Sequence, residues 1–512
     1  MKYITMYHPL VAALVFGLLS EGAAWCTAKI PLRRNHGRTF LAYSRASQQL
    51  SASRASSAGF SRNQPKGDAD LSDLAQSMLD GSDLIYPFAT LREAVKNAMV
   101  DGTLSELDRP ELIRPELKGI NRYNWKKGFD SALRSPMRAA DSTITFNVDR
   151  AIHRYLESEI PIVNILDFVI NNKDFVCRIS EGEFEFEKMK KTLEQYRKVS
   201  LGIVEFDDEF HKSQLVFGIS VNRTNKRLTV CFRSSVDDNE DWNQNFKVLH
   251  TPLAINPTEL NGSYDKIKVH SGYSGYLNDA LIAEGNATKK KYSPLREFSF
   301  AAAKEFDVLQ DLELFKDAER TTKFDKIVAN IGDLYKSFPD YELFVCGHSL
   351  GGALSQLLAF QLASGGHLDE HAKSITAITF ASPRVGNREF KKAFQELEER
   401  YIIRHLRVSN EGDIVPAIPP VGYTQTGVHV HGHKDLSKPL EVGYRLVKSF
   451  FSQVGAGWKI NVFKVKKSFE KHHSLDEHKK RLFNPNEANE AILKKTIEAW
   501  YTDYEDKIKK RT

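Results

Sequence analysis

The spacing of apolar positions changes along the chain, and the changes divide it. Over residues 68–200 apolar residues recur at helical intervals. Ser72 is placed to cap a helix beginning Asp73-Leu74-Ala75, and Thr90 to cap a second through Leu91–Val95. Ala151–Phe168 and Glu185–Val199 are further amphipathic stretches. From about residue 201 the period becomes that of strands. Gln214–Val221 and Arg227–Phe232 are β-rich apolar runs joined by the short polar link 222–226, which predicts a hairpin. Residues 236–268 are polar and irregular, and 277–340 return to helical spacing. Leu343–Cys346, Ile375–Phe380 and Arg404–Val408 are then short apolar runs alternating with helical patterns, the first of them from Ala353 onward. Strands alternating with helices predict an α/β fold whose central sheet is mostly parallel and flanked by helices, preceded by a mostly helical N-terminal region.

Composition alters this picture only at the front. The net charge of the 512-residue chain is +6. Residues 1–67 carry nine Lys/Arg against Glu21 alone, or +8, so the remainder is about −2. The basic balance belongs to the leader, and the body offers no electrostatic case for nucleic acid. Within the leader, Lys2, the apolar stretch Leu10–Leu19 and the small residues before Trp25 read as a signal-peptide-like segment over 1–25, its apolar run too short to span a bilayer. Residues 26–67 hold no acid and are rich in Arg and Ser, which is transit-peptide-like. The two in tandem, joined at Ala-Ala-Trp, resemble the bipartite presequence of algae with secondary plastids. Entry into the secretory pathway follows from either reading, with a plastid as destination or, as the plain alternative, a secreted or endoplasmic-reticulum protein with a disordered basic linker. Behind the leader the expected divisions are a helical region, 68–200, a catalytic α/β domain, 201–490, and a C-terminal helix or tail, 491–512. Cys26, Cys177, Cys231 and Cys346 are too few and too scattered for a disulfide framework.

The chemistry centres on Tyr341–Phe360. A buried strand runs into Gly347-His348-Ser349-Leu350-Gly351 and then into a helix. Strand, tight turn and helix are the context in which G-x-S-x-G forms a nucleophile elbow: glycines on either side clear a crowded corner, and the serine hydroxyl stands above the sheet. The pentapeptide alone would arise by chance in roughly one chain in six of this length, so its partners decide the matter. A serine needs a base. Asp413 follows a strand and precedes Pro416 and Pro419, which suits a carboxylate presented from a rigid loop. His473, at a loop-to-helix junction, is the expected base, and His472 is the neighbour most easily confused with it. His429, His431 and His433 alternate as metal ligands on a strand can, but exposed imidazoles at a strand end fit the pattern better, and no metal or other cofactor is expected.

Phe232-Arg233-Ser234-Ser235, Asp241-Trp242, Val269-His270-Ser271-Gly272-Tyr273, Gly347–Gly352, Ser382–Asn387, Asp413–Pro416 and His473-Ser474-Leu475 occur in that order. Together they resemble the class 3 lipases, the fungal and plant type, of the α/β-hydrolase superfamily. The resemblance covers about 215–485 and leaves the first 200 residues outside. It implies Ser349 as nucleophile, Asp413 as orienter, His473 as base, and an oxyanion hole from Leu350 N–H and Ser235. It further implies a triacylglycerol lipase-like acyl-enzyme mechanism on lipid esters at a membrane or droplet surface, with phospholipid or plastid galactolipid as the alternative substrate. The resemblance places a lid at about 237–262, and 443–469 is a second candidate, whose mix of aromatics with lysines suits peripheral contact with anionic lipid. The chain departs from the family at Ser234, where glycine is usual, and at Gln425-Thr426-Gly427, which replaces His-Val-Gly. A positive φ at Ser234 would strain the oxyanion hole. That departure, with the added helical region, keeps open a second reading in which the chain is a non-catalytic lipid-binding or interaction protein.

Overall fold

The structure is a computed structural model, and the residues it describes are 69–100, 160–179, 183–208, 215–234, 249–255, 257–260, 264–279, 322–367, 374–443, 471–483 and 487–509. The leader, 237–248, and 443–469 beyond its first residue lie outside them.

Among the described residues the helical front has one long helix and three shorter ones. α1 spans Ala69–Val100 without a break. The two caps expected at Ser72 and Thr90 therefore lie inside it. The Thr90 hydroxyl donates to the Tyr86 carbonyl at 3.3 Å, a bond available within a helix as readily as at its start. Pro87 sits mid-helix. A short strand, β1 (Ile160–Pro161), leads into α2 (Ile162–Asn171), α3 (Lys173–Ile179) and α4 (Glu183–Gln195). α2 begins eleven residues later than the apolar spacing from Ala151 predicts, because Pro161 holds the N-cap position with φ −59° and ψ 139°, extended backbone that cannot continue a helix from upstream.

The sheet follows. β2 (Leu201–Asp207), β3 (Phe217–Asn222) and β4 (Arg227–Phe232) are antiparallel neighbours. β5 (His250–Pro252) and β6 (Lys268–His270) form a separate two-stranded ribbon leading into α5 (Ser271–Asn278). α6 (Lys323–Ser337), β7 (Glu342–His348), α7 (Leu350–Ser364), β8 (Ile375–Phe380), α8 (Arg388–Glu399), β9 (Ile403–Asn410), β10 (Val428–Gly432) and β11 (Glu441–Gly443) come next, and α9 (Leu475–Leu482) and α10 (Glu487–Lys509) follow. The main sheet runs β1-β2-β3-β4-β7-β8-β9-β10-β11. The run from β4 to β10 is parallel throughout. Every residue of β8 and β9 is buried, as strands covered on both faces must be.

Alternation along the strands sends side chains into two layers. Val345 and Ala377 join the layer under α5, α6, α7 and α8. Phe344, Cys346, Ile378 and Phe380 join the other, where Leu74, Ala75, Met78 and Leu79 of α1 meet Leu475 and Leu482 of α9 and Leu493 and Ile497 of α10. The N-terminal helix is thus part of the core beneath the central strands. Its second half, through Phe88, Leu91 and Val95, packs with α2 and α4 in a third cluster. Polar ties fix it: Lys479 of α9 pairs with Asp80 at 3.1 Å and Asp83 at 2.8 Å, and the Tyr196 hydroxyl donates to Asp80 at 3.0 Å. Among the described residues, no helix is long and apolar enough to cross a membrane.

Candidate active site

β7 ends at His348, and the chain must reverse into α7 within one residue. Ser349 makes the turn at φ 55°, ψ −124°, a conformation that an L residue with a side chain occupies at a cost of order 1–3 kcal/mol. Its N–H donates to the Phe380 carbonyl at 2.9 Å, and its own carbonyl accepts from Gly352 and Ala353 at 3.0 and 3.2 Å. The glycines are obligatory here. A Cβ on Gly347 would lie 2.4 Å from Gly351, and one on Gly351 would lie 2.4 Å from the Phe232 carbonyl oxygen. The same crowding explains why α7 begins at Leu350, three residues before Ala353: the first turn of the helix is packed against the ends of β4 and β8 and has room only for Gly351 and Gly352. Leu350 is the first helical residue, so its N–H belongs to the unpaired first turn of a 15-residue helix.

Asp413 lies on the turn after β9. Its N–H bonds to the Asn410 carbonyl at 3.1 Å. One carboxylate oxygen, Oδ1, accepts from Val415 N–H at 3.0 Å. The other, Oδ2, lies 3.0 Å from His473 Nδ1. A carboxylate only accepts, so Nδ1 carries the proton and Nε2 is left as the basic nitrogen. Both side chains are out of water, at 4% and 0% exposure.

His473 is held from behind as well. Its carbonyl oxygen lies 2.7 Å from His348 Nε2. The carbonyl can only accept, so the His348 ring donates Nε2–H. The two rings stand 4.6 Å apart between centroids. Burial, with His473 and His478 adding to it, pushes His348 well below the usual imidazole range, so the ring is a neutral donor. The preceding carbonyl, that of His472, accepts from Asn410 Nδ2 at 3.1 Å. The His472 ring turns away and receives Arg481 Nη2 on Nδ1 at 2.9 Å. Of the two adjacent histidines, His473 is the one that meets Asp413. Ser474 then caps α9, accepting from Glu477 N–H at 3.2 Å. Between these bonds the backbone of 472–474 is fixed on both sides.

Ser235 lies outside the described residues. Its neighbour Ser234 is buried, and the non-glycine residues with positive φ among those described are Lys226, Ser349, Ala381 and Tyr401. The backbone at 234 thus needs no glycine, and the strain expected from this departure does not arise. Tyr86 of α1 hydrogen-bonds Ser234, and burial is the chief reason its phenol is pushed up. Tyr86 and His348 are the contributors that the sequence reading missed. His348 sat inside the pentapeptide, where its chemistry was legible but its target was not, and Tyr86 carries no local signal at all.

The alternating histidines behave as a strand. His429 Nε2 bonds Ser409 Oγ at 2.6 Å, and His431 is pushed below the usual range by burial first and by His433 second. Among the described residues, no group of three His, Cys, Asp or Glu is placed to hold a metal ion.

Residues 229–423 match the Lipase (class 3) family model. The match takes in Ser349 and Asp413 and stops short of His473. Phospholipase A1-IIgamma of Arabidopsis thaliana is 37% identical over 115 residues, which is 21% of this chain and 27% of that protein. Galactolipase DONGLE, chloroplastic, of the same plant is 28% identical over 242 residues, 45% of this chain and 43% of that one. Among solved structures, a triacylglycerol lipase from Penicillium expansum aligns with TM-score 0.31 and 16% identity, covering 46% of this chain and 70% of that one. The native Rhizomucor miehei lipase propeptide complex aligns with TM-score 0.33 and 19% identity, over 54% and 70%. The chain spans about a quarter to two-fifths of the length of the curated relatives it matches.

Proposed function

We propose that this chain, whose residues 229–423 carry the class 3 lipase match, is a serine hydrolase of fatty-acyl esters in lipids. The observation that carries the reading is the Asp413–His473 pair, buried at 3.0 Å, with the His473 carbonyl tied to His348, the residue that precedes a serine in strained backbone.

In this reading Asp413 holds the imidazole with Nδ1 protonated, and His473 Nε2 removes the Ser349 proton as Oγ attacks the ester carbonyl. The oxyanion is met by Leu350 N–H and by Ser235. Preorganised donors of this kind commonly lower the barrier by ~3–4 kcal/mol each. The imidazolium returns its proton to the leaving alcohol. Water, deprotonated by the same nitrogen, then releases the fatty acid and restores Ser349. Every step uses side chains and backbone of this chain alone.

Among lipid esters, a polar glycerolipid is favoured. Relatives over part of the chain are named phospholipase A1 and galactolipase, and two of the relatives are named chloroplastic, in keeping with a plastid-directed leader. Contact with the lipid surface would involve Val421 and Leu249, large apolar side chains exposed at 65% and 53%. They flank the stacked rings of Tyr423 and His250, whose centroids are 4.2 Å apart, and so belong to one patch beside the Asp413 loop. Purified protein incubated with a mixed plastid lipid extract should release free fatty acid and a lyso-lipid, and a fluorophosphonate should label it in a Ser349-dependent way. Folded protein that neither labels nor releases acid would make it a lipid-binding scaffold instead.

A further inference from the structure

Residues 384–387, between β8 and α8, form no element of their own but hold two other segments in place. On one side the Val385 carbonyl accepts from His270 N–H at 2.8 Å, and Asn387 N–H donates to the Lys268 carbonyl at 2.9 Å, which fixes β6. Ser271 N–H, next in the chain, donates to the Leu249 carbonyl at 2.9 Å. On the other side Arg384 N–H donates to the Ile418 carbonyl at 2.8 Å, and the Gly386 carbonyl accepts from Thr424 N–H at 2.8 Å. Arg384 Nη1 then donates to the carbonyls of Pro419 and Pro420, 3.2 Å from each. One residue thus holds three successive carbonyls. Val421, Gly422 and Tyr423 bridge the two anchors, and a Cβ on Gly422, at φ +77°, would lie 2.8 Å from the His250 ring. Leu249 and Val421, both exposed, are therefore mounted on one strip, one from each side.

The charge on Arg384 does not help the fold. The residue is buried, and burial pushes its guanidinium below the usual range with no carboxylate among the described residues to offset it. The guanidinium of Arg407, buried as well, is pushed down to about 9 by its own burial and then by Arg384. A buried charge without a counter-ion, beside a like charge, works against folding. An apolar side chain of similar length would fill the same space without that penalty. What Arg384 supplies is its donors, aimed at the base of the Val421 tip. A tip ordered in advance loses little freedom when it meets a surface.

We propose that Arg384 is a positioning residue for engagement of a lipid surface: by fixing the carbonyls of 418–420 it sets Val421 beside Leu249 before the surface is met. The proposal rests on the lipid-surface reading above and adds to it the residue on which the patch is built. The bonds of Arg384 go to carbonyls beyond Asp413 in the chain, so its effect falls on the surface far more than on the chemistry at Ser349.

The test uses the full-length chain and vesicles of phosphatidylcholine with phosphatidylglycerol. Binding is read by sedimentation in a Ser349→Ala background, so that hydrolysis does not alter the vesicles. Arg384→Met should weaken binding about tenfold, the scale of a loop that must be ordered on contact. Val421→Ser should do the same, and the two together should be no worse than either, because one acts through the other. Arg384→Lys, which keeps a charged donor, should recover part of the loss. With Ser349 intact, the Arg384→Met chain should lose less kcat/KM on p-nitrophenyl butyrate, a soluble ester, than on vesicles. Additive losses, or equal losses on the two substrates, reduce Arg384 to a structural part and overturn the proposal. Normal vesicle binding by Arg384→Met overturns it alone, whereas an unaltered chain that binds no vesicles overturns it together with the lipid reading. Should Arg384→Met fail to fold, hydrogen exchange on the unaltered protein decides. The amides of Arg384 and Thr424 should be protected before vesicles are added. Rapid exchange there that slows only on vesicles means a tip that orders on contact, and overturns the proposal.

Discussion

The His348 ring donates a hydrogen bond to the backbone carbonyl of His473 at 2.7 Å. The residue before the proposed nucleophile therefore holds the main chain of the proposed base. This bond crosses 125 residues of sequence and joins the end of β7 to the start of α9. His348→Phe keeps the ring volume and removes the donor. It is expected to lower kcat on a soluble short-chain ester by about 10²-fold, the scale of a small misplacement at a reacting centre, with KM little changed. A variant with unaltered kcat would reduce His348 to packing.

Asp413→Asn and His472→Ala separate the two adjacent histidines. The asparagine offers an amide where Nδ1–H needs an acceptor, and esterase kcat should fall by about 10⁴-fold. His472 contacts Arg481, not Asp413, so His472→Ala should retain activity within about one order of magnitude. A reversal of these two outcomes would move the base to 472.

Acid should destabilise the chain before the carboxylates titrate. His405 is fully buried, and burial, helped by Arg407, pushes it down to about 3. His472 is pushed down to about 4 by burial first and then by Lys434 and Arg481. In the unfolded chain both titrate near 6.5. Between those values the unfolded state binds protons that the folded state refuses, so this contribution to stability is full above about 6.5 and is lost as the pH falls toward 4 and 3. The urea midpoint should decline steadily across that interval. A flat profile from pH 6.5 to 4 would mean these rings are reached by water.

Ser234→Gly restores the residue usual in the family, and it should gain nothing. Ser234 has no positive φ to relieve, and the change removes a partner of Tyr86. Activity is expected to stay level or fall. A severalfold rise in kcat would show that the serine does restrain the oxyanion strand.

What the sequence disclosed and what it withheld differ by range. The parallel strands at Ile375–Phe380 and Arg404–Val408 were legible because strands buried on both faces are continuous apolar runs. Asp413 and His473 were legible because each stands at a strand or helix end with its own turn chemistry. The unbroken course of α1 was not. Ser72 and Thr90 have the chemistry of caps, and only burial of Leu74 through Val95 on the sheet and on α2 and α4 decides that the helix runs through them. The partnerships of Tyr86 and of His348 were hidden for the same reason, since each side chain finds its target far away in sequence.

The layer formed by α1 on one side and α9 and α10 on the other has a consequence for how the chain is made. Leu74 leaves the ribosome long before Leu493 and Ile497, which join the same cluster. At about 5–20 residues per second, the 149 positions that separate Phe344 from Leu493 take roughly 7–30 s to synthesise. For that interval Phe344, and then Ile378 and Phe380, lack the part of their cover that α10 supplies, so one side of the sheet waits with apolar surface exposed.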